Sequence, residues 1–204
     1  MIKPLVVPAA ALLAAQLLAP APALAAAEVG QPAPQFTLSD ATGKSHALSA
    51  YQGKWVVLEW VNFDCPFVKK HYVSGNMQKL QKAATAKGVV WLSVNSSAAG
   101  KQGSFPAETV LSMMKERNAA PTAYLLDAEG AAGRAYGAKT TPHMFVIDPK
   151  GTLLYAGGID DKPTTDVADV PGAKNYVQAA LDEGLAGKPI ATTSSTPYGC
   201  SVKY

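Results

Sequence analysis

The chain has two cysteines, Cys65 and Cys200, and both could take part in redox chemistry. Cys65 directly precedes Pro66, and proline is favoured at the first position of a helix because its missing N–H would have no partner there. This order predicts that Cys65 caps the N-terminus of a helix. Free backbone N–H groups and the helix dipole would stabilise a thiolate at this point, so we expect a lowered pKa and a reactive sulfur. The alternative is that Cys65 is a small buried hydrophobic residue.

Cys200 lies in a polar, turn-rich C-terminal tail, residues 189–204, which we expect to be an extension on the surface. A sulfenic acid condenses with a thiol that reaches it, and Cys200 is the only other thiol of the chain. It is therefore the candidate to resolve an oxidised Cys65. Two alternatives stay open. The pair could form a structural disulfide, worth roughly 4.7 kcal/mol for a loop of about 100 residues, or both thiols could stay unpaired.

Thr141 and Pro142, far from Cys65 in the sequence, directly precede an apolar run and could contribute to a site. A proline just before a strand is usually trans, and about 5 to 6% of X-Pro bonds are cis. A cis bond between Thr141 and Pro142 would shape the backbone of a site. The pair alone is weak evidence for such a site, and it becomes stronger evidence only together with Cys65.

Hydrophobic patterns predict the elements that position these residues. A small hairpin is expected around Thr42 to Lys44, and helices are expected from Pro66 onward, at residues 106–117 and at residues 174–185. Buried strands are expected at residues 55–61, 89–94, 123–127, 143–148 and 152–158. This order predicts an α/β fold with a central mixed sheet flanked by helices, in which the first strands are parallel and the last antiparallel.

The helix that begins at Pro66 is amphipathic, and we expect its lysines, Lys70 among them, to reach water. A break is expected at Gly75 and Asn76, because glycine costs about 1 kcal/mol in a helix. The apolar face would consist of Val73, Met77, Leu80 and Ala84.

The first 25 residues have the composition of a secretory signal peptide: an early lysine, an apolar stretch, and small residues at the end. We expect removal of residues 1–25, followed by a folded domain at residues 26–188 and the tail at residues 189–204. The alternative is a retained membrane anchor. An exported protein, in the periplasm for example, meets oxidising conditions in which a disulfide persists.

Composition excludes several other classes of function. The net charge of +3 is small and forms no basic stripe, so we expect no nucleic acid partner. Two cysteines cannot form a four-thiolate zinc site or iron–sulfur cluster. Copper on Cys65 and His71 is not expected either, because six residues separate them on a helix. We interpret Asp160 and Asp161 as a solvated loop.

A strand, a loop, Cys65-Pro66 at a helix start and a later Thr141-Pro142 before a strand hairpin together resemble the thioredoxin-like superfamily. Residues 30–187 are most similar to exported bacterial redoxin or peroxiredoxin-like proteins of the AhpC/TSA type. The resemblance implies that Cys65 is the nucleophile, that Pro142 is a cis-proline beside it, and that the backbone of Thr141 meets a bound thiol or peptide.

Two departures from the resembled pattern limit what it implies. Val68 stands where dithiol motifs have a second cysteine, so Cys65 has no local partner. Leu58 and Asn62 stand where peroxiredoxins have proline and threonine, and Pro142 stands about where their arginine lies. Efficient peroxidase chemistry is therefore not implied. A C-terminal cysteine such as Cys200 is similar to the resolving residue of some two-Cys peroxiredoxins, within one chain or across a homodimer.

The sequence thus predicts an exported thiol-dependent oxidoreductase that needs no metal or organic cofactor and, once the signal is cleaved, no membrane. Its thiolate would attack the O–O bond of a peroxide or the S–S bond of a disulfide, and an external thiol reductant would complete the cycle. An exposed Cys65 with a lowered pKa would favour an oxidoreductase. The alternative is a binding module with an inert Cys65–Cys200 disulfide. The expected site comprises catalytic Cys65 and Cys200, and substrate-binding Asn62, Phe63, Pro66, Thr141 and Pro142.

Overall fold

A mixed β-sheet of seven strands forms the centre of residues 26–204, the part of the chain described by a computed structural model. The predicted signal peptide, residues 1–25, lies outside these described residues. The strands are β1 (Thr37–Asp40), β2 (Ser45–Ala47), β3 (Val56–Trp60), β4 (Val90–Asn95), β5 (Ala123–Leu126), β7 (His143–Ile147) and β8 (Leu153–Gly157). Two short strands, β6 (Thr140–Thr141) and β9 (Cys200–Ser201), form a separate pair.

Five α-helices and two short 3₁₀ helices surround the sheet within this region. The α-helices are α1 (Pro66–Val73), α2 (Asn76–Ala86), α3 (Ala107–Glu116), α4 (Ala131–Tyr136) and α5 (Tyr176–Leu185). The 3₁₀ helices span Leu48–Tyr51 and Val167–Gly172. Among residues 26–204, no helix combines the length and the apolar character needed to cross a bilayer.

The strand order across the sheet is β2-β1-β5-β4-β3-β7-β8. Strands β3, β4 and β5 are parallel, whereas β7 and β8 are antiparallel to their neighbours. The N-terminal hairpin of β1 and β2 extends the sheet by antiparallel pairing with β5. This arrangement confirms the predicted α/β fold with a central mixed sheet.

The central strands β3 and β4 are buried along their whole length, as expected for strands that are covered on both faces. One face of the sheet packs against α1, α2, α3 and α5, and Cys65 belongs to this core layer. The other face packs against α4, the 3₁₀ turn at Leu48 and the N-terminal segment near Ala33. Both layers hold β3 in place, and β3 leads directly into the segment that carries Cys65.

The predicted break at Gly75 and Asn76 is confirmed, and it separates α1 from α2. Gly75 adopts φ +75°, which continues neither helix. Because the helix is interrupted there, the apolar face predicted for a single helix is not continuous. Met77 is fully buried, whereas Val73 is 76% exposed, so its predicted place in the apolar face is wrong.

The C-terminal tail lies on the surface, and backbone pairing, which the sequence did not predict, holds it against the domain. Ala156 of the edge strand β8 exchanges backbone hydrogen bonds with Thr193 and Ser195 of the tail. Farther along, β9 pairs with β6, with Thr141 opposite Cys200. The polar composition of the tail hid this docking, because backbone hydrogen bonds need no apolar side chains.

Candidate active site

Cys65 lies where β3 gives way to α1 and is the N-cap residue of that helix, as the sequence predicted. Its backbone is extended, its carbonyl accepts from the N–H of Lys69, and Pro66 occupies the first turn. The side chain is fully buried. The exposed sulfur that would favour an oxidoreductase over a binding module is therefore not observed, and Cys200 of the docked tail lies against Cys65.

The sulfur of Cys65 faces two segments that are remote in sequence. In its thiol form it donates to the backbone carbonyl of Thr141, at 3.0 Å. The backbone N–H of Cys200 points back at it, at 3.4 Å. The two sulfur atoms lie 2.7 Å apart as free thiols, so they need to approach only slightly to form a disulfide of about 2.05 Å.

The peptide bond between Thr141 and Pro142 is cis, in agreement with the role implied by resemblance for Pro142. The bond lies directly beside Cys65, because β6 carries the carbonyl that contacts its sulfur. Thr141 is buried, and its hydroxyl oxygen has no hydrogen-bond partner among the described residues. The structure thus brings Cys65, Thr141, Pro142 and Cys200 together.

The two thiols differ in acidity. Burial raises the pKa of Cys65, but hydrogen bonds from the Cys200 thiol and from the backbone N–H groups of Cys200 and Val68 outweigh burial and lower its pKa below the ordinary value. Burial, donation to Cys65 and the charge of Cys65 raise the pKa of Cys200 to about 11. Cys65 is therefore the more acidic thiol of the pair, and the more acidic thiol is the more readily ionised nucleophile.

The structure shows no contact with the Cys65 sulfur for the other predicted site residues, Asn62, Phe63 and Pro66. The amide of Asn62 joins its own loop to the loop after β4, since it accepts from the N–H of Asp64 and donates to the carbonyl of Gln102. Phe63 is buried in the core, and Pro66 is exposed at the helix start. Substrate contacts of these three residues stay predictions, and the structure gives the first two side chains internal partners.

A buried polar cluster beside Cys65 was missed from the sequence. Asp160 and His71 are buried, and the phenol of Tyr198 donates to Asp160 Oδ1 and lies 3.2 Å from His71 Nε2. Asp160 is therefore not part of a solvated loop. Lys70 is buried as well, with its ammonium group donating to the carbonyl of Lys162 at 2.7 Å, so its predicted exposure is wrong.

The cluster of Lys70, His71, Asp160 and Tyr198 anchors the tail two residues before Cys200. Burial lowers the pKa of His71 to about 4 despite the opposing charge of Asp160, so His71 is neutral at pH 7. Within residues 26–204, no three His, Cys, Asp or Glu side chains are grouped as a metal site would need.

A second unpredicted feature is the fully buried carboxylate of Glu59 in β3. It accepts hydrogen bonds from four side chains: Tyr72, Gln81, Trp91 and Ser93. Burial nevertheless raises its pKa. The signal was present in the sequence, since Glu59 is the one charged residue in the apolar run at residues 55–61.

Comparisons with known proteins bear on the family and the fold of the chain. The profile of the AhpC/TSA family matches residues 29–156. A search of curated proteins gave no match.

Three solved structures illustrate the likeness. A hypothetical protein of Sinorhizobium meliloti is 26% identical over 88% of this chain and 96% of its own, with a TM-score of 0.72. An uncharacterized conserved protein of Geobacillus kaustophilus is 27% identical over 87% and 92%, with a TM-score of 0.73. A proposed thiol:disulfide interchange protein DsbE of Chlorobium tepidum is 26% identical over 64% and 85%, with a TM-score of 0.52. The predicted thioredoxin-like fold is thereby confirmed.

Proposed function

Because the chain belongs to the AhpC/TSA family and has a thioredoxin-like fold with two facing thiols, we propose that it reduces disulfides in polypeptides. Cys65 is the nucleophile, and Cys200 is the second thiol of the redox pair. The observation that carries the proposal is the pairing of two sulfurs 2.7 Å apart whose pKa values are shifted in opposite directions.

The reaction proceeds by two exchange steps. The Cys65 thiolate attacks one sulfur of the substrate disulfide, forms a mixed disulfide and releases the other substrate sulfur as a thiolate. Cys200 then gives up its proton and attacks the Cys65 sulfur, which releases the second substrate thiolate and leaves a Cys65–Cys200 disulfide. The substrate gains two electrons, and an external thiol reductant returns the protein to the dithiol form.

The buried position of Cys65 adds a conformational step to this cycle. The tail must leave Cys65 before a substrate sulfur can reach it, and it must return for Cys200 to resolve the mixed disulfide. The part of the tail that covers the sulfur pairs with β6 and not with the central sheet, so it can open without unfolding that sheet. Opening must also break the contacts of Tyr198, Val202 and Tyr204 on either side of Cys200.

Disulfides fit the site better than peroxides. Activation of a peroxide in the resembled peroxiredoxins relies on an arginine near the sulfur. The two arginines of this chain stack on aromatic rings, Arg117 5.0 Å from the ring centroid of Phe63 and Arg134 4.7 Å from that of Tyr204. Asn62, at the position of the activating threonine, is hydrogen-bonded to Asp64 in its own loop and to Gln102 in the loop after β4.

We also place this activity after export. Residues 1–25 have the composition of a signal peptide, and a Cys65–Cys200 disulfide would persist in the oxidising periplasm. The substrates would then be exported polypeptides with disulfides.

The test is turnover of insulin disulfides by the purified protein of residues 26–204, supplied with a dithiol reductant. We expect turnover in the wild type, loss in Cys65→Ser, and accumulation of a mixed disulfide on Cys65 in Cys200→Ser. Ser201→Ala, next to Cys200 and exposed, is the matched control and should keep full activity.

Three outcomes of this experiment separate the alternatives. Unchanged turnover in Cys65→Ser would reject the proposal. Faster consumption of hydrogen peroxide than of insulin disulfides would assign the protein to peroxide reduction. A Cys65–Cys200 disulfide that forms but never exchanges with substrate or reductant would show an inert structural link.

A further inference from the structure

A cleft of about 320 Å³ lies at the end of the sheet opposite to Cys65, between the start of β3 and the turn that joins β7 to β8. We name it the basal cleft and infer that it binds a free amphiphile with an alkyl chain and one carboxylate. Its volume falls within the range of small-molecule sites. The site is separate from the two thiols, because β3 begins at the cleft with Val56 and leads to Cys65 only beyond its other end.

The floor of the basal cleft is apolar and belongs to the hydrophobic core. Leu48, Val56 and Ile147 line it, and they are 4%, 2% and 1% exposed. Val56 and Ile147 lie opposite each other in the register of β3 with β7, so their side chains share one face of the sheet. An alkyl chain in the cleft would cover the accessible part of this floor, and removal of apolar surface from water favours its binding.

Backbone hydrogen bonds hold the walls of the basal cleft in place. The N–H of Ala33 donates to the carbonyl of Gly151 at 2.8 Å, which joins the N-terminal segment to the turn between β7 and β8. The N–H of Gly53 donates to the carbonyl of Pro149 at 2.9 Å, which joins the same turn to the segment before β3. The walls are therefore formed before a ligand enters, and binding needs little ordering of the chain.

One wall is Tyr51, which a chain of polar side chains keeps in position. Its hydroxyl lies 2.5 Å from His46 Nδ1, and His46 Nε2 lies 2.8 Å from Asp40 Oδ2. Asp40 Oδ1 accepts from the backbone N–H groups of Thr42 and Lys44, so the turn between β1 and β2 anchors this chain. Because the hydroxyl of Tyr51 is engaged by His46, its ring is the part that is free to contact a ligand, and a ring suits an alkyl chain.

Two exposed lysines, Lys54 and Lys150, give the basal cleft a preference for an anion. Both line the cleft, and neither forms an ion pair with any of residues 26–204. Among these residues Asp148 is the one acid of the lining, and its Oδ1 accepts from the N–H groups of Lys150 and Thr152. The lining thus carries one net positive charge, which complements one carboxylate and not a polyanion such as a nucleotide.

The test is a titration of the isotope-labelled protein, residues 26–204, with octanoate, followed by the nuclear magnetic resonance signals of its backbone amides. We expect saturable shifts at residues 48–56 and 147–151, and smaller ones at Cys65 and Cys200. Octanoate should bind about 4- to 15-fold more tightly than hexanoate, because its two further methylene groups are half to fully buried. Octan-1-ol, which has no charge, should bind more weakly than octanoate.

Variants of the lining locate the ligand within the cleft. Ser49 is exposed and lines the cleft, so Ser49→Trp should fill it and abolish the shifts. Ala50→Trp is the matched control and should keep the affinity, because Ala50 is exposed in the same 3₁₀ turn but lies outside the lining. The same spectra show whether each variant is folded.

Variants of the lysines test the role of charge. Lys54→Gln combined with Lys150→Gln should weaken octanoate binding by about 2- to 25-fold and remove the preference for octanoate over octan-1-ol. Lys101→Gln, exposed and outside the lining, removes the same type of charge elsewhere and should leave that preference unchanged.

Four outcomes would overturn the inference. They are the absence of saturable shifts at the cleft, equal affinities of the wild type for octanoate and octan-1-ol, equal affinities of Ser49→Trp and Ala50→Trp for octanoate, and shifts with vesicles of phosphatidylglycerol but not with octanoate. The last result would assign this face to a membrane surface. These measurements do not involve turnover at Cys65, so the inference stands or fails separately from the proposed function.

Discussion

The substitution Gly199→Ala should release the tail from Cys65 while leaving the domain folded. The new Cβ atom would overlap the Thr141 carbonyl, and the backbone would keep φ +138° only at a cost of about 1 to 3 kcal/mol. This strain is relieved when the tail undocks, so the undocked population should rise by roughly 5- to 150-fold. Because Cys65 is fully buried while the tail is docked, its alkylation rate should rise by the same factor.

The assay is alkylation of the reduced protein by iodoacetamide, with Cys65 and Cys200 quantified separately by mass spectrometry. Cys200 is partly exposed and serves as an internal reference whose rate changes less. Gly172→Ala is the matched control, since a Cβ atom at Gly172 would meet no atom within 4 Å. If Cys65 reacts at the same rate in both variants, the tail does not control access to it, and the reasoning fails.

Three further predictions concern titration. In Cys200→Ala the midpoint of the pH dependence of Cys65 alkylation should move upward, because the hydrogen bond from the Cys200 thiol that lowers the Cys65 pKa is removed. The pKa of Glu59 is raised in the folded state, which favours its protonated form. Glu59 therefore stabilises the folded protein most at a pH below its pKa in the unfolded chain. This stabilisation is lost as the pH rises through its pKa in the folded protein. Urea unfolding from pH 4 to 8 should show this slope, and Glu59→Gln should flatten it. The pKa of His71 is lowered to about 4, so stability should fall by up to about 3 kcal/mol as pH drops from 6.5 to 4. His71→Asn should remove this loss in urea unfolding, while the similar loss from His143 persists.

Local sequence patterns were sufficient for the framework of the site. The order of Cys65 and Pro66 predicted the helix cap, and apolar runs predicted the strands that carry it. These features depend on neighbours within a few residues, so a single segment contains the information. The cis bond before Pro142 was implied only by resemblance, because base frequencies favour trans.

What the sequence did not predict depends on contacts between distant segments. From the sequence we predicted that Lys70 is exposed on its helix and that Asp160 lies in a solvated loop. Both predictions followed from the charge of the side chains alone. Each is buried because a remote partner meets it, the Lys162 carbonyl in one case and the Tyr198 hydroxyl in the other. Gly199 is ordinary in a polar tail, and its importance appears only beside the Thr141 carbonyl.

In the proposed cycle, the docking that holds Cys200 ready to resolve the mixed disulfide also closes the site. Its sulfur is held 2.7 Å from Cys65, so resolution needs almost no search, but a substrate finds Cys65 only during tail opening. Tighter docking therefore speeds the second exchange step and slows the first. Gly199→Ala should shift this balance, with faster formation of the mixed disulfide on Cys65 and slower release of the substrate thiol. Single-turnover kinetics that show both steps slowed would mean that the tail orients Cys65 for attack and does not merely cover it.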